Sequence, residues 1–442
     1  MSEPISTNPI PGTRDFFPEE MAVRMDVFAR LYKVVESFGY QRYDGPMLEP
    51  LELYAAKSSE EIVSRQTYRL KDRGDRELVV RPEMTPTVAR MIAARAGGLA
   101  LPARWYSHPN LWRYERKQRG RYREHWQVNV DVFGTESHEA EAEILELGAE
   151  MMFALGARTA DFLLRVSDRG LMQAVLTGFA GVPLEKLGEV YGALDGIDKL
   201  PEEETRKLLV AAGADADKVL RVVSGTAEEL FALAPPEALA ASNLHRVLTE
   251  GLSTSQPVDL RFDPKIIRGF TYYTSTVFEI YDVDPQNPRS IAGGGRYDNL
   301  VGLFGKARIP GLGFGMGDVT LLDFLGTHGL LPAPRLAPDA TVLAPQPELA
   351  EQRARCRRIA TALRGAGLRV TTSLEARKMG KLLEKAAKEG VRFAVIAGAD
   401  EASRGAVKLR DLARSEEREV AEADLAASLS ASLAAGLAAR GG

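Results

Sequence analysis

Between Asn110 and Gly134 the chain reads NLWRYERKQRGRYREHWQVNVDVFG. The alternation in its second half leaves few options for its fold. Gln127, Asn129 and Asp131 fall on one side of an extended chain, and Val128, Val130 and Val132 on the other. Such a strand buries its valine side and turns a polar working surface the other way. The first run brings Arg113 and Glu115 onto one face by the same two-residue period. Between the runs, Arg113 to Arg123 carries six cations, Arg113, Arg116, Lys117, Arg119, Arg121 and Arg123, with Gly120 as the bend. This predicts an antiparallel hairpin with a long cationic loop. Such a device holds an anion deep in a site and a phosphate backbone at its rim. A merely solvated surface hairpin is the bland alternative, and six cations beside a polar-faced strand argue against it.

The rest of the composition bounds that reading. A net charge of −4 gives no global basic field, so any nucleic-acid contact must use local patches. The 442 residues suggest two or three domains at about 150 residues each. The single cysteine, Cys356, rules out an internal disulfide and fits a reducing compartment. We expect it on a helix among charges. Neither a secretory leader nor a membrane-spanning apolar run is visible, so a soluble cytoplasmic protein is expected.

Taken in order, Pro11 to Pro18 reads as an extended arm with buried aromatics, and Met21 to Phe38 as a helix stopped by Gly39. Tyr40 to Leu51 predicts a short strand interrupted at Gly45-Pro46. This helix and strand suit either a subunit interface or an ordinary core. Ser64 to Val80 predicts a hairpin. In Arg81-Pro82-Glu83-Met84-Thr85-Pro86 the side chains of Glu83 and Thr85 point the same way if extended, and a carboxylate beside a hydroxyl can receive an ammonium group. Thr85 also reads as the N-cap of a helix running to Ala96. Ser137 to Leu155 is an amphipathic helix and Phe162 to Val166 a strand.

Residues 170–256 change character: rich in Ala, Leu, Glu and Lys, they predict an all-helical insertion without a catalytic constellation, with His245 on a surface helix position. Strands return at Val258 to Phe262 and Thr274 to Tyr281. Glycines cluster at Gly293-Gly294-Gly295 and alternate at Gly311, Gly313, Gly315 and Gly317. The alternating run either lies flat beneath something planar or packs backbone to backbone. Residues 331–338 form a proline-rich linker. Beyond it, alternating strands and helices predict a small α/β domain with a mostly parallel sheet, then a helical tail from Ala421. The fold class is therefore α/β: an α+β region (residues 1–169 and 257–330) with an antiparallel sheet flanked by helices, a helical insertion, and a C-terminal α/β domain (residues 339–442). No phosphate loop of the Gly-Lys-Ser/Thr type, no His-Glu-x-x-His and no other metal cage is legible.

Several of these stretches together resemble the class II aminoacyl-tRNA synthetases, and within them the histidyl-tRNA synthetases. Gly12 to Phe16 resembles the family's N-terminal arm, Met21 to Leu51 its motif 1, and Arg113 to Gln127 its motif 2. Arg268-Gly269-Phe270-Thr271-Tyr272-Tyr273 and Ala292 to Asp298 resemble its two histidine signatures. The resemblance implies ligation of L-histidine to tRNA through an adenylate made from ATP, with Mg²⁺ accompanying the ATP. It implies a homodimer through motif 1 and an anticodon-binding C-terminal domain. By the same resemblance Glu83, Thr85 and Gln127 receive the histidine ammonium, Asp131 with Tyr273 the imidazole, and Tyr272 also binds the histidine. Arg113 and Arg268 flank the α-phosphate, and Arg268 also borders the histidine. Glu115 receives the adenine amino group. Arg116, Lys117, Arg119 and Arg123 meet the tRNA.

In one respect the chain departs from the family pattern. Motif 3 carries an Arg on the helix after the glycine strand, whereas here Asp318-Val319-Thr320 carries none. Arg121 is the expected substitute. The same gap leaves open an alternative of another class: a silent, histidine-sensing paralogue such as the regulatory subunit of ATP phosphoribosyltransferase.

Overall fold

The computed structural model describes residues 5–55, 66–116, 118–195, 197, 200–266 and 272–438. The chain divides into two compact units, Met1–Phe16 with Val23–Pro332, and Phe17–Ala22 with Ala333–Gly442.

Helix α1 (Pro18–Ser37), which belongs to the first unit from Val23 onward, buries Val27, Phe28, Leu31 and Val35 at helical spacing. The expected strand after it is two strands in different sheets, β1 (Gln41–Arg42) and β2 (Leu48–Pro50). Pro46 cannot donate to a ladder. A Cβ at Gly45 would stand 2.5 Å from Thr87 Cγ2, so the chain turns there against its neighbour. Strands β3 (Tyr68–Lys71) and β4 (Glu77–Val80) form the expected hairpin, and β4 also pairs with β2. Helix α2 (Leu51–Ala55) follows β2, and α3 (Thr85–Arg95) follows β4. The N-cap of α3 is Met84, without a side-chain cap, and Thr85 is its first helical residue. The N-cap reading of Thr85 is thereby corrected. Pro86 in the first turn has no N–H to satisfy, so the start needs one cap fewer.

The main sheet is built from β1, β5 (Ala103–Ser107), β6 (Asn110–Trp112), β7 (Glu124–Phe133), β8 (Phe162–Asp168), β9 (Leu260–Phe262), β10 (Thr276–Asp282), β11 (Ser290–Arg296) and β12 (Gly311–Gly317). Its order is β1-β5-β7-β12-β11-β10-β8-β9, with β6 on β7. Neighbours from β5 through β8 are antiparallel, and only the end pairings β1–β5 and β8–β9 are parallel. The back of the sheet presents Val128, Val130, Val132, Leu312, Phe314 and Met316, all buried against α1 and α4 (Glu139–Ala154). At about 1.5–3 kcal/mol for each fully buried large apolar side chain, this face anchors the strand register.

Between β8 and β9 the chain is helical, with a core of its own from Leu171, Val175, Leu209, Val219 and Leu230 among others. Local chemistry fixes the helix starts. Asp168, Asp215, Thr226 and Ser242 each accept a backbone N–H three residues on. His245 is half-buried rather than on the surface, its ring 4.9 Å from Phe231 and edge-on to it.

The second unit holds a sheet ordered β14-β13-β15-β16-β17: β13 (Ala340–Leu343), β14 (Val370–Thr372), β15 (Phe393–Ile396), β16 (Ala406–Asp411) and β17 (Glu416–Ala421). Its pairings are two parallel and two antiparallel, so the mostly parallel expectation is corrected. The charged edge strand β17 is the reason: Glu416, Glu417, Arg418 and Glu419 are exposed and carry no apolar alternation. The tail helix accordingly begins at Leu425, not Ala421. Cys356 does sit on a helix (Ala350–Gly365), but it packs inward with Ile359, Ala360 and Leu363 instead of among the charges, and burial pushes its thiol up to about 11.

Candidate active site

Strand β7 runs beside the alternating glycines of β12. Gly313 stands opposite Asp131, Gly315 opposite Asn129 and Gly317 opposite Gln127. On the next strand Gly293 faces Gly315, and Gly295 faces Gly313. A Cβ at Gly313 would lie 2.3 Å from Asp131 Oδ1, and one at Gly315 2.3 Å from Gln127 Cδ. The glycines thus leave room for the polar side chains of β7 to lie across the sheet. A cavity of about 320 Å³ opens above this floor. Arg113, Glu115, Arg121, His125, Gln127, Tyr273, Glu279 and Arg289 line it, with Gly293, Gly315, Gly317 and Thr320.

One side of the cavity is cationic. The hairpin closes where the Arg113 N–H donates to Arg123 O at 2.8 Å, and Gly120 takes φ +73° at the bend. Arg113 Nε donates to Pro82 O at 2.9 Å, which fixes the guanidinium against the segment before α3. Arg121 is exposed on the loop and pairs with Glu115 at 3.3 Å. His125 is held neutral, its pKa lowered to about 3 by burial and then by the Arg113 charge. The helix Asp318–Thr327 points its first turn at the cavity. Asp318 is fully buried there, accepting from Arg14 at 3.0 Å, Arg24 at 2.6 Å and the Trp126 N–H at 3.0 Å. The N-terminal arm is held to the site by this carboxylate and by Phe16, edge-on to Trp126 at 5.4 Å.

Phenols and carboxylates make up a second, buried group. Tyr272 donates to Glu83 Oε2 at 3.0 Å and also bonds the Thr85 hydroxyl. Its ring meets Tyr273 at 4.9 Å and Tyr297 at 5.8 Å. Tyr297 in turn donates to Asp131 Oδ1. Burial pushes the Asp131 carboxyl up to about 7, and the Tyr297 hydrogen bond opposes that rise. Burial also raises all three phenols, so each stays a donor. Arg296, next to Tyr297, is tied down by Glu141 at 2.7 Å and Thr135 O at 2.9 Å, which holds β11 in register.

Of the residues singled out from sequence, Arg113, Glu115, Arg121, Gln127 and Tyr273 share the cavity. Glu83, Thr85, Asp131 and Tyr272 belong to the phenol–carboxylate group. Arg116 and Arg119 are exposed, and Arg119 donates to Asn287 at 2.9 Å. Arg123 lies over the Tyr114 ring at 4.3 Å. Arg268 and Lys117 lie outside the described residues. Sequence reasoning passed over His125, Glu279, Arg289 and Tyr297. Tyr297 was legible inside the Gly293 to Asp298 run, whereas the other three carry no local signal.

A cationic wall, a glycine floor and a buried acidic pocket suit a ligand that is polyanionic at one end and cationic at the other. Comparison with known proteins points the same way. The family model described as Histidyl-tRNA synthetase matches residues 12–320, and the one described as Anticodon binding domain matches residues 339–432. A Histidine--tRNA ligase of Leptospira biflexa is 43% identical over 92% of this chain and 94% of its own length. One from Thermoplasma volcanium is 37% identical over 94% of this chain and 96% of its own. The solved histidyl-tRNA synthetase of Nostoc superposes with a TM-score of 0.78 at 26% identity, covering 97% of this chain and 99% of that one. With relatives of this identity matched along nearly their whole length, and both family models in place, the chain belongs to the histidyl-tRNA synthetase family.

Proposed function

We propose that the protein is a histidine–tRNA ligase. It joins L-histidine to ATP as histidyl-adenylate, releases pyrophosphate, and passes the histidine to the 3′ end of its tRNA. The observation that carries this is the cavity itself: Arg113, Arg121, Gln127 and Tyr273 over one glycine floor, in a chain of this family. The carboxylate of histidine is already a nucleophile, so the chemistry asks for positioning and charge neutralisation. Arg113 is read as the group on the α-phosphate, with Arg268 opposite. Glu83, Thr85 and Gln127 receive the ammonium, Asp131 with Tyr273 the imidazole, and Tyr272 also binds the histidine. Glu115 takes the adenine amino group, which requires it to leave or share its pairing with Arg121. Arg116, Lys117, Arg119 and Arg123 meet the tRNA.

Mg²⁺ is read as arriving with ATP, as part of the substrate. Residues 170–256 are read as an insertion between catalytic parts 1–169 and 257–330, and 339–442 as the anticodon-binding domain beyond a linker at 331–338. A homodimer through α1 and β2 accounts for the exposure of Met25, Met47 and Leu48. No helix among the described residues is long and apolar enough to cross a membrane, and we place the protein with its tRNA in the cytoplasm.

The test is histidine-dependent ATP–pyrophosphate exchange by the purified protein, followed by charging of tRNA. Exchange with histidine alone among amino acids supports the ligase. Histidine binding without exchange moves the assignment to the regulatory-subunit alternative. The lack of an Arg in the first turn of Asp318–Thr327, whose one charge is the acidic Asp318, is the feature favouring that alternative. The match of residues 339–432 to an anticodon-binding domain counts against it.

Two variants refine the site. Arg121→Ala is expected to raise the ATP KM about three- to tenfold, as befits an exposed charge–phosphate contact. An unchanged KM would remove Arg121 from ATP binding. Gly315→Ala places a methyl 2.3 Å from the Gln127 amide carbon. That neighbour is a side chain and can swing aside, so the fold should survive while the histidine KM rises about tenfold, near the ~1 kcal/mol of one hydrogen bond. Circular dichroism and steady-state kinetics decide it, and equal loss of fold and affinity would refute a local effect.

A further inference from the structure

We propose that Arg289 is a further polyphosphate ligand, holding ATP beyond its α-phosphate from the residue before β11, across from a helix turn that carries no cation. The inference rests on the ATP-dependent reading above and deepens it. Arg289 immediately precedes Ser290, the first residue of β11, and lines the same cavity as Arg113, Arg121 and Thr320. A Cβ built on Gly120 would meet both Arg289 Cδ at 2.7 Å and Thr320 Cγ2 at 3.3 Å. Arg289 and Thr320 therefore converge on one point at the loop bend, and Arg289 brings positive charge to a place where the helix turn offers no cation.

Its own partners are neutral. Nε donates to Arg119 O at 3.0 Å and one terminal nitrogen to Gln118 Oε1 at 2.8 Å. No ion pair is formed with it among the described residues. Arg121, by contrast, is paired with Glu115. Arg289 is only partly exposed, and burial together with the Arg121 charge lowers its pKa from the usual arginine value. The Glu115 charge offsets this only in part, so two guanidiniums repelling each other in a cavity are at a disadvantage until an anion enters. Its remaining N–H donors, set in a fixed fork, match phosphate oxygens. With Arg113 assigned to the α-phosphate, the terminal phosphates are what this charge can meet.

The test compares wild type, Arg289→Gln and Arg289→Lys in histidine-dependent ATP–pyrophosphate exchange, with equilibrium binding of histidine, ATP and AMP measured separately. For Arg289→Gln the ATP KM is expected to rise about tenfold to a hundredfold, with histidine and AMP affinities unchanged. Arg289→Lys should restore part of the loss, because the charge returns without the fork. An unchanged ATP KM in Arg289→Gln overturns the proposal. So does an equal loss of AMP or histidine affinity, which would make the residue a prop for the loop, and so does a Lys variant as impaired as Gln. Absence of exchange in the wild type is a different failure, that of the ligase reading itself.

Discussion

Arg113→Gln is expected to lower the rate of histidyl-adenylate formation by about 10²–10³-fold, the cost of removing one preorganised group aimed at charge that develops in the transition state. The guanidinium lines the cavity and is pinned by its Nε bond to Pro82 O at 2.9 Å. It is therefore oriented before substrate arrives and needs no reorganisation during the reaction. Because the effect belongs to the transition state, kcat should fall while histidine binding in the absence of ATP stays as it was. Single-turnover adenylation with equilibrium histidine binding separates these quantities. A parallel loss of histidine affinity would mean that Arg113 serves the fold of the hairpin instead. The neighbouring His125 gives the same variant a second readout. Part of its depression to about 3 comes from the Arg113 charge, so its pKa should rise in Arg113→Gln.

The other large effect is at Asp131, where affinity and stability should move in opposite directions. Asp131→Asn keeps an oxygen to accept from Tyr297 but removes the carboxylate charge. Loss of a charge-assisted hydrogen bond is worth about 1.5–3 kcal/mol, so the histidine KM should rise about ten- to a hundredfold. The folded protein should meanwhile gain. The Asp131 pKa is raised from 3.8 to about 7, so the folded state binds a proton that the unfolded state has released. Its contribution to stability is complete below about pH 4 and is lost progressively as pH rises toward 7. The Asn variant, which does not titrate, should be more stable by about 1–2 kcal/mol at pH 8, after allowing for the buried amide, and by much less at pH 4.5. Urea denaturation of both proteins at the two pH values measures this. A variant less stable at pH 8 would show that the ionised carboxylate is compensated in the folded protein.

The contrast between those two residues indicates what kind of site this is. Arg113 sits on a hairpin whose only local requirement is a closing bond and a glycine bend. Asp131 sits on the central strand with valines behind it, where a charge is costly and the polar partner comes from Tyr297, 166 residues further on. On the proposed reading, histidine recognition keeps there a group that folding alone would replace.

Much of this was legible locally. The period-two alternation of Gln127 to Val132 specifies a strand with one buried face, because adjacent side chains on an extended chain must point to opposite sides. The six cations of the loop, the glycine bend and the alternate glycines of Gly311 to Gly317 likewise act through their immediate neighbours. Cys356 was misjudged although Ile359, Ala360 and Leu363 share its helical face, since the surrounding arginines obscured the stripe. Strand Glu416–Ala421 was missed because an exposed edge strand needs no apolar alternation to pair.

What the sequence by itself determined, then, was every element whose energy is settled within a few residues, together with the motif residues that mark the family. Only the tertiary structure decided that β12 lies between β7 and β11, that Tyr297 reaches Asp131, and that Arg289 stands across the loop bend from Thr320. Those juxtapositions join residues on separate elements, tens to more than a hundred residues apart in the chain. They are selected by burial of the valine, leucine and phenylalanine face behind the sheet, and no local pattern of residues records which strands that shared face will bring together.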